Sequence, residues 1–154
     1  MSEKKIKIII SDFDGIFTDG SVLVYDNGTT AKRLDYSDIM GIALAYKKGY
    51  EVVIISGEKS SAIDFLLKKF PLLKAYQDIR NKKEVVENLL NEKNLTFENV
   101  LYLGDDVNDI DCLKSSGLKF TVENANYKVK ELNIPILKHK GGYGAFREAV
   151  DMLP

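Results

Sequence analysis

Apolar and polar residues alternate in blocks along this chain, and the period of the pattern changes from block to block. Ile6, Ile8, Ile9 and Ile10 form a short, nearly continuous apolar run at the head of KIKIIISDFDGIFTDG. Such a run predicts a strand buried on both faces. It stops at Asp12, Asp14 and Gly15. The next stretch, SVLVYDNGTTAKRLDY, carries Val22, Val24, Asn27-Gly28 and Thr29-Thr30, and predicts a β-hairpin over about 21–34. Ile39, Ile42, Ala43 and Tyr46 then predict one face of a helix that Asp38 caps and Gly49 stops. Residues 51–55 predict a second buried strand, ending in Ser56-Gly57, followed by a helix over about 59–70 that Pro71 closes. A short strand at 73–76 and a helix capped by Asn81, with Val85, Val86, Leu89 and Leu90, come next. The strand expected at 100–103 ends in Gly104-Asp105-Asp106. After it come a short helix over about 108–116 and a strand near 118–121. A glycine-rich loop and final helix fill 141–152, with Ala145, Phe146, Ala149 and Val150 inward.

Strand and helix alternate at least four times, which predicts an α/β fold with a mostly parallel sheet and helices on both faces. A chain of 154 residues predicts one domain, 1–154. Hydrophobic residues make up 45% and charged residues 29%, the balance of a soluble globular protein. The net charge of -1 gives no electrostatic footprint for nucleic acid or an anionic membrane. Cys112 stands alone, so neither an intrachain disulfide nor a thiolate zinc site can form. The N-terminal MSEKK and the apolar run after it are too short for a signal peptide, and no run reaches a membrane span. These features predict a cytoplasmic protein. The one histidine, His139, lies in the basic stretch LKHKGGYG and reads as a surface residue, so a Ser-His-Asp mechanism would have to pass through it.

In parallel α/β sheets, ligands bind at the carboxyl ends of the strands. Here those ends carry Asp12 and Asp14, then Ser56-Gly57, then Asp105-Asp106, while Lys82 opens a helix. Side chains two apart on a strand share a side, so Asp12 and Asp14 should enter one pocket, where a divalent cation or a shared proton would relieve their repulsion. Aspartate and glycine also favour turns, but four polar clusters at four strand ends exceed what turn chemistry explains. Carboxylate ligands without sulfur or histidine suit a hard cation, magnesium before calcium. A calcium-loop pattern fails: counting from Asp12, the fifth position is Ile16 and the twelfth Leu23, and counting from Asp106 the fifth is Ile110. Carboxylates, a hydroxyl, a glycine amide and a lysine together describe a phosphoryl-transfer site, with an aspartate as nucleophile and a second carboxylate as acid and base.

The ordered motifs SDFDG, ISG, a lysine at a helix start and GDDVND resemble the haloacid dehalogenase superfamily of aspartyl-phosphate phosphatases. The resemblance implies a Rossmann-like three-layer sandwich with Asp12 as nucleophile, Asp14 as acid/base, Ser56 as phosphoryl binder and Lys82 as charge neutraliser. It implies magnesium held by Asp12, Asp105 and the Asp14 carbonyl, with Asp106 and Asp109 behind them and Asp109 orienting Ser56 or Lys82. Forty-four positions separate Asp12 from Ser56 and 26 separate Ser56 from Lys82, which leaves no room for the cap domain usual in the superfamily. TDG, the hairpin and GGYGAFRE further resemble the capless sugar-acid phosphatases. These act on 3-deoxy-D-manno-octulosonate 8-phosphate or 2-keto-3-deoxynononate 9-phosphate, and related domains are fused to sialic-acid cytidylyltransferases. The resemblance implies a homotetramer built through the protruding hairpin, with neighbours shaping each site.

Gly57 and Glu58 would meet the substrate. Octulosonate enzymes carry arginine where this chain has Glu58, so the nine-carbon substrate stands ahead of the eight-carbon one; a plain helix-end glutamate is the other reading of that position. The helix after Ser56, SSAIDFLLKKF, has none of the arginines of either group, although Lys59, Lys68 and Lys69 remain. Three other readings stand beside a phosphatase for a small sugar-acid phosphate. One is a phosphatase for another small phosphate or for phosphoprotein. One is a non-catalytic oligomerisation module, which loss of Asp12 or Asp14 would mark. One is a phospho-receiver domain, whose motif order fits poorly.

Overall fold

The structure is a computed structural model and describes residues 5–154. Residues 1–4, on which the expectation about a signal peptide partly rests, lie outside the described residues. Five strands form one parallel sheet: β1 (Ile8–Ser11), β4 (Glu51–Ile55), β5 (Lys74–Tyr76), β6 (Val100–Leu103) and β7 (Leu118–Phe120). The spatial order is β5-β4-β1-β6-β7. The chain first runs outward from β1 through β4 to β5, then crosses back to β6. β1 therefore flanks the point where the winding reverses, the place where parallel α/β sheets bind ligands.

Alternate residues of the central strands serve two cores. Ile9, Val52, Ile54, Leu101 and Leu103 pack on one side with α1 (Tyr36–Lys47), α2 (Ser61–Lys69) and α6 (Ala145–Asp151). Ile8, Ile10, Val53, Ile55, Val100 and Tyr102 pack on the other with α3 (Lys82–Glu92), α4 (Ile110–Ser115) and α5 (Tyr127–Lys130). The unbroken apolar runs follow from this, because a central strand covered on both faces has no solvent side. Burying each such isoleucine is worth on the order of 1.5–3 kcal/mol. The expected three-layer α/β architecture is the observed one. Between β1 and β4 stand only a hairpin and α1, and between β4 and β5 only α2, so the described residues contain no cap domain. No described helix is long and apolar enough to cross a membrane.

The hairpin pairs β2 (Leu23–Val24) with β3 (Thr30–Ala31) as a separate two-stranded ribbon. Val22, Leu23, Val24 and Tyr25 are each at least half exposed on it. Elements with no counterpart in the hydrophobic pattern are a 3-10 turn, Phe97–Asn99, and α5, a single turn that Asn126 caps by accepting from the Lys128 amide.

The start of α1 departs from expectation. Asp35 caps it, accepting from the Ser37 amide at 2.7 Å. Asp38 lies one turn further in, on the inner face, and is 1% exposed. Its two carboxylate oxygens accept from the backbone amides of Gly144 at 3.2 Å and Arg147 at 3.0 Å. Gly144 has no side chain with which to cap α6, and Asp38 supplies the missing oxygen from across the helix pair. With the register set by Asp35, Ala45 is buried and Ala43, expected inward, is exposed.

Asp38→Ala should leave two buried N–H groups without acceptors and lower the unfolding free energy by about 2–4 kcal/mol, measured by urea denaturation. Burial pushes the Asp38 carboxyl up to about 6, against the pull of the two amides. A carboxyl that holds its proton more tightly when folded stabilises most at low pH, and that share is lost as pH rises from about 4 through about 6. The difference between wild type and Asp38→Ala should therefore be larger at pH 4 than at pH 7.

Candidate active site

The ends of β1, β4 and β6 deliver polar groups to the same place. β1 runs directly into Asp12, whose amide donates to the Leu103 carbonyl at 2.9 Å and so keeps step with β6. Asp12 Oδ1 accepts from the Phe13 amide and from Lys82 Nζ, both at 2.8 Å. Lys82 opens α3 directly after its cap, Asn81, whose side chain accepts from the Glu84 amide. The Lys82 side chain is fully buried, and it also donates to Asp109 Oδ1 at 2.9 Å. Asp109 closes a 3-10 turn, Val107–Asp109, that Asp106 caps from the cavity rim. Its second oxygen accepts from the amides of Asp105 at 3.1 Å and Asp106 at 3.2 Å. Tyr102, on β6, donates its hydroxyl to Asp109 Oδ1 at 2.8 Å.

The carboxylates of Asp12, Asp105 and Asp109 offer oxygens that all lie within 4.8 Å of one another. Asp12 and Asp109, both buried, and the partly buried Asp105 face one ammonium. Burial pushes Asp12 well above the usual carboxylate range, with the charge of Asp109 adding and Lys82 opposing. Burial likewise raises Asp105 to about 6. Burial disfavours the charged form of Lys82, but Asp109 and Asp12 outweigh it and hold the ammonium above the ordinary lysine value. A divalent cation supplies the positive charge this cluster lacks. The donor set fits one. It is all oxygen, and the buried Asp105 Oδ1 has no hydrogen-bond partner. Four donors already saturate Asp109, so the capacity for a cation lies with Asp12 and Asp105.

Asp14 shares the cavity with Asp12, as expected, but its carboxylate stands outside the acidic cluster. Lys32, just beyond β3, grips both Asp14 oxygens at 2.9 Å. Thr18 Oγ1 donates to Asp14 at 3.2 Å and accepts from the amides of Gly15 and Gly20, closing the turn after β1. Each aspartate of the pair thus has its own lysine. Gly15 takes φ +88°, and a Cβ there would overlap the Asp105 carboxylate, so the turn admits no side chain at that point. The C-terminal loop braces the same turn. The Gly142 amide donates to the Ile16 carbonyl at 2.9 Å, and Arg33 Nη2 donates to the Gly142 carbonyl at 2.6 Å.

Ser56 is 1% exposed at the end of β4, and its hydroxyl accepts from the Glu58 amide at 3.2 Å. Ser56, Gly57, Glu58 and Asp106 line the same cavity of about 250 Å³ as Asp12, Asp14 and Asp105. Every site residue expected from the four motifs is therefore at this cavity or, for Lys82 and Asp109, directly behind it. Between the two partners expected for Asp109, its carboxylate bonds Lys82. Glu58 is not a helix-end charge: α2 begins at Ser61 with Ser60 as cap, and Glu58 precedes both, exposed at the cavity rim. His139 is exposed and pairs with Glu148 at 2.8 Å. Sequence reasoning missed Lys32, Thr18, Tyr102 and Asn108. Lys32 lies in an ordinary hairpin exit, and Tyr102 reads as one more apolar strand residue. Thr18 had the faint signal of the TDG that follows the first motif, and Asn108 sits inside GDDVND.

Four similarities bear on the family of the chain. A model of haloacid dehalogenase-like hydrolases matches residues 71–141. The 3-deoxy-D-manno-octulosonate 8-phosphate phosphatase of Escherichia coli K12 is 31% identical over 150 residues, covering 97% of this chain and 80% of that protein. The Moraxella catarrhalis phosphatase of the same name was crystallised with magnesium, phosphate and a KDO molecule. It superposes with a TM-score of 0.91 at 26% identity, over 97% of this chain and 86% of that one. The cobalt-bound Haemophilus influenzae enzyme superposes with a TM-score of 0.88 at 30% identity, over 96% and 86%. By fold, by the groups gathered at the strand ends and by this relatedness, the chain belongs to the haloacid dehalogenase-like hydrolases and is a phosphoric monoester hydrolase of their capless group.

Proposed function

We propose that this chain, acting as one domain, is a magnesium-dependent phosphatase that removes phosphate from a 2-keto-3-deoxy sugar acid through an aspartyl-phosphate. The observation that carries the reading is the pinning of one Asp12 oxygen by a buried ammonium and a backbone amide, in a cavity shared with Ser56, Asp14 and Asp105. That is how a carboxylate is oriented for attack. Asp12 attacks phosphorus, the bond from phosphorus to the sugar oxygen breaks, and that oxygen takes a proton from Asp14. Asp14 then takes a proton from water, the water oxygen attacks phosphorus, and the bond to Asp12 breaks to release phosphate. Ser56 and its neighbouring amides hydrogen-bond the phosphoryl oxygens. Lys82 neutralises charge beside Asp12 without leaving its bonded position. Asp12, Asp105 and the Asp14 carbonyl would hold magnesium, which supplies Lewis-acid neutralisation of the phosphoryl charge.

We put the eight-carbon substrate first, against the order expected from Glu58, and the similarity to proteins named for octulosonate 8-phosphate supports that choice. The nine-carbon reading keeps one specific support. Glu58 lines both the catalytic cavity and an adjoining one that also carries Lys32 and Lys59, where a carboxylate can accept from extra sugar hydroxyls. The exposed apolar hairpin favours a homotetramer, since an isolated two-stranded ribbon is marginal in water and its apolar face calls for a cover.

Asp12→Asn should abolish magnesium-dependent phosphatase turnover, by roughly a thousandfold or more, while circular dichroism stays native. Lys82→Ala should reduce the rate about a hundredfold or more, and Lys83→Ala should leave it near wild type. Equal losses in the two lysine variants would refute the role given to Lys82. In a panel of phosphorylated sugar acids, Glu58→Arg should move the ratio of kcat/KM toward the eight-carbon substrate by about tenfold to a hundredfold, and an unchanged ratio would remove Glu58 from recognition. Light scattering at micromolar concentration should report a tetramer of the 17.3 kDa chain, and Leu23→Asp should dissociate it; a wild-type monomer contradicts the assembly.

A further inference from the structure

Tyr102 is a fully buried aromatic residue in the middle of the sheet, and its ring belongs to the core beneath α3 and α4. A phenylalanine would fill that space. The hydroxyl needs a separate reason, because a buried O–H without a partner is unfavourable. It has one, a 2.8 Å bond to Asp109 Oδ1. The same oxygen accepts from Lys82 Nζ at 2.9 Å, and Lys82 Nζ donates to Asp12 Oδ1 at 2.8 Å. The groups form an unbroken buried chain from Tyr102 through Asp109 and Lys82 to the reacting carboxylate. Burial and the charge of Asp109 raise the phenol well above its ordinary value, so it stays a donor at any working pH.

We propose that Tyr102 is a positioning residue for phosphoryl transfer: its hydroxyl donates to Asp109 and so fixes how the Lys82 ammonium is divided between Asp109 and Asp12. The inference rests on the phosphatase reading and adds a part to it. Asp109 is a buried carboxylate with four donors, and two of them, the amides on its other oxygen, are fixed by the backbone. Tyr102 and Lys82 are the two side-chain donors on Oδ1. Removing the hydroxyl leaves Lys82 as the remaining side-chain donor to that oxygen. The ammonium is then drawn toward Asp109 and away from Asp12. The nucleophile loses alignment, while the cavity walls that meet substrate, Ser56, Gly57 and Glu58, are untouched. The consequence falls on kcat rather than KM.

The test uses p-nitrophenyl phosphate with magnesium and six proteins: wild type, Tyr102→Phe, Tyr102→Leu, Asp12→Asn, Lys82→Ala and the Lys82→Ala/Tyr102→Phe double variant. Thermal melting checks that each is folded at the assay temperature. Tyr102→Phe should lower kcat by roughly tenfold to a hundredfold, the range for losing one hydrogen bond to a charged group, with KM changed less than about twofold. Tyr102→Leu should match Tyr102→Phe in kcat while melting lower, because the hydroxyl and not the ring acts on the chemistry. In a Lys82→Ala background, Tyr102→Phe should change kcat less than about twofold, since the link it works through is gone. A Tyr102→Phe protein with wild-type kcat overturns the proposal, as does a Tyr102→Leu protein far slower than Tyr102→Phe, which would mark a packing role. Full activity in Asp12→Asn would instead overturn the phosphatase mechanism itself, so the two failures are told apart.

Discussion

The structure is organised around one ammonium group. Lys82 is fully buried and bonded to two carboxylates from different parts of the chain, Asp12 at the end of β1 and Asp109 after β6. Moving such charges out of water is unfavourable by several kcal/mol per ion, and their mutual attraction offsets this only when the geometry is good and the remaining valences are satisfied. Here most are met: Asn81 caps the helix that presents Lys82, two backbone amides and Tyr102 occupy Asp109, and the Phe13 amide donates to the same Asp12 oxygen as Lys82. The ion pairs therefore act less as glue for the fold than as a register mark. They require β1, the start of α3 and the turn after β6 to meet at one point, and that point adjoins the candidate site.

The same constraint explains why Asp12 and Asp14, two residues apart, have different surroundings. Asp12 faces the buried side, with Lys82 and the other acidic groups. Asp14 faces the rim, held by a half-buried lysine that belongs to the hairpin. A nucleophile benefits from a fixed, dry setting, whereas an acid/base group has to exchange protons with a leaving oxygen and with water. Because Lys32 stands beside β3, the element that the tetramer reading uses for assembly also touches the group that the mechanism reading uses for proton transfer.

The C-terminal loop and helix form the third support. Gly142 bonds the turn that carries the first motif, Arg33 bonds Gly142 and lies 4.2 Å over the Tyr143 ring, and Asp38 caps α6 from inside α1. A Cβ at Gly141 would overlap the Gly15 carbonyl, so the loop approaches the turn after β1 backbone to backbone. The last segment of the chain thus stiffens the first, and a turn that must hold two aspartates in fixed directions is braced from behind.

Much of this was legible in the residue pattern. Unbroken apolar runs marked central strands because both faces of a parallel sheet are covered, and the polar residues at their ends marked the site because that edge is open to ligands. The strands at 51–55 and 100–103 and the inward face of α6 were set by local periodicity alone. The partners of the candidate site residues were not legible. Whether Asp35 or Asp38 begins α1 depends on whether a buried oxygen is needed at the far end of α6, about a hundred residues away in the chain. Lys32 meets Asp14 because the hairpin folds back over the turn, and Tyr102 meets Asp109 because the 3-10 turn after β6 doubles under the strand. Sequence periodicity records which face of an element is dry. Which polar groups then share that dry space is decided by tertiary packing, because a buried charge must find its partner wherever the fold brings one.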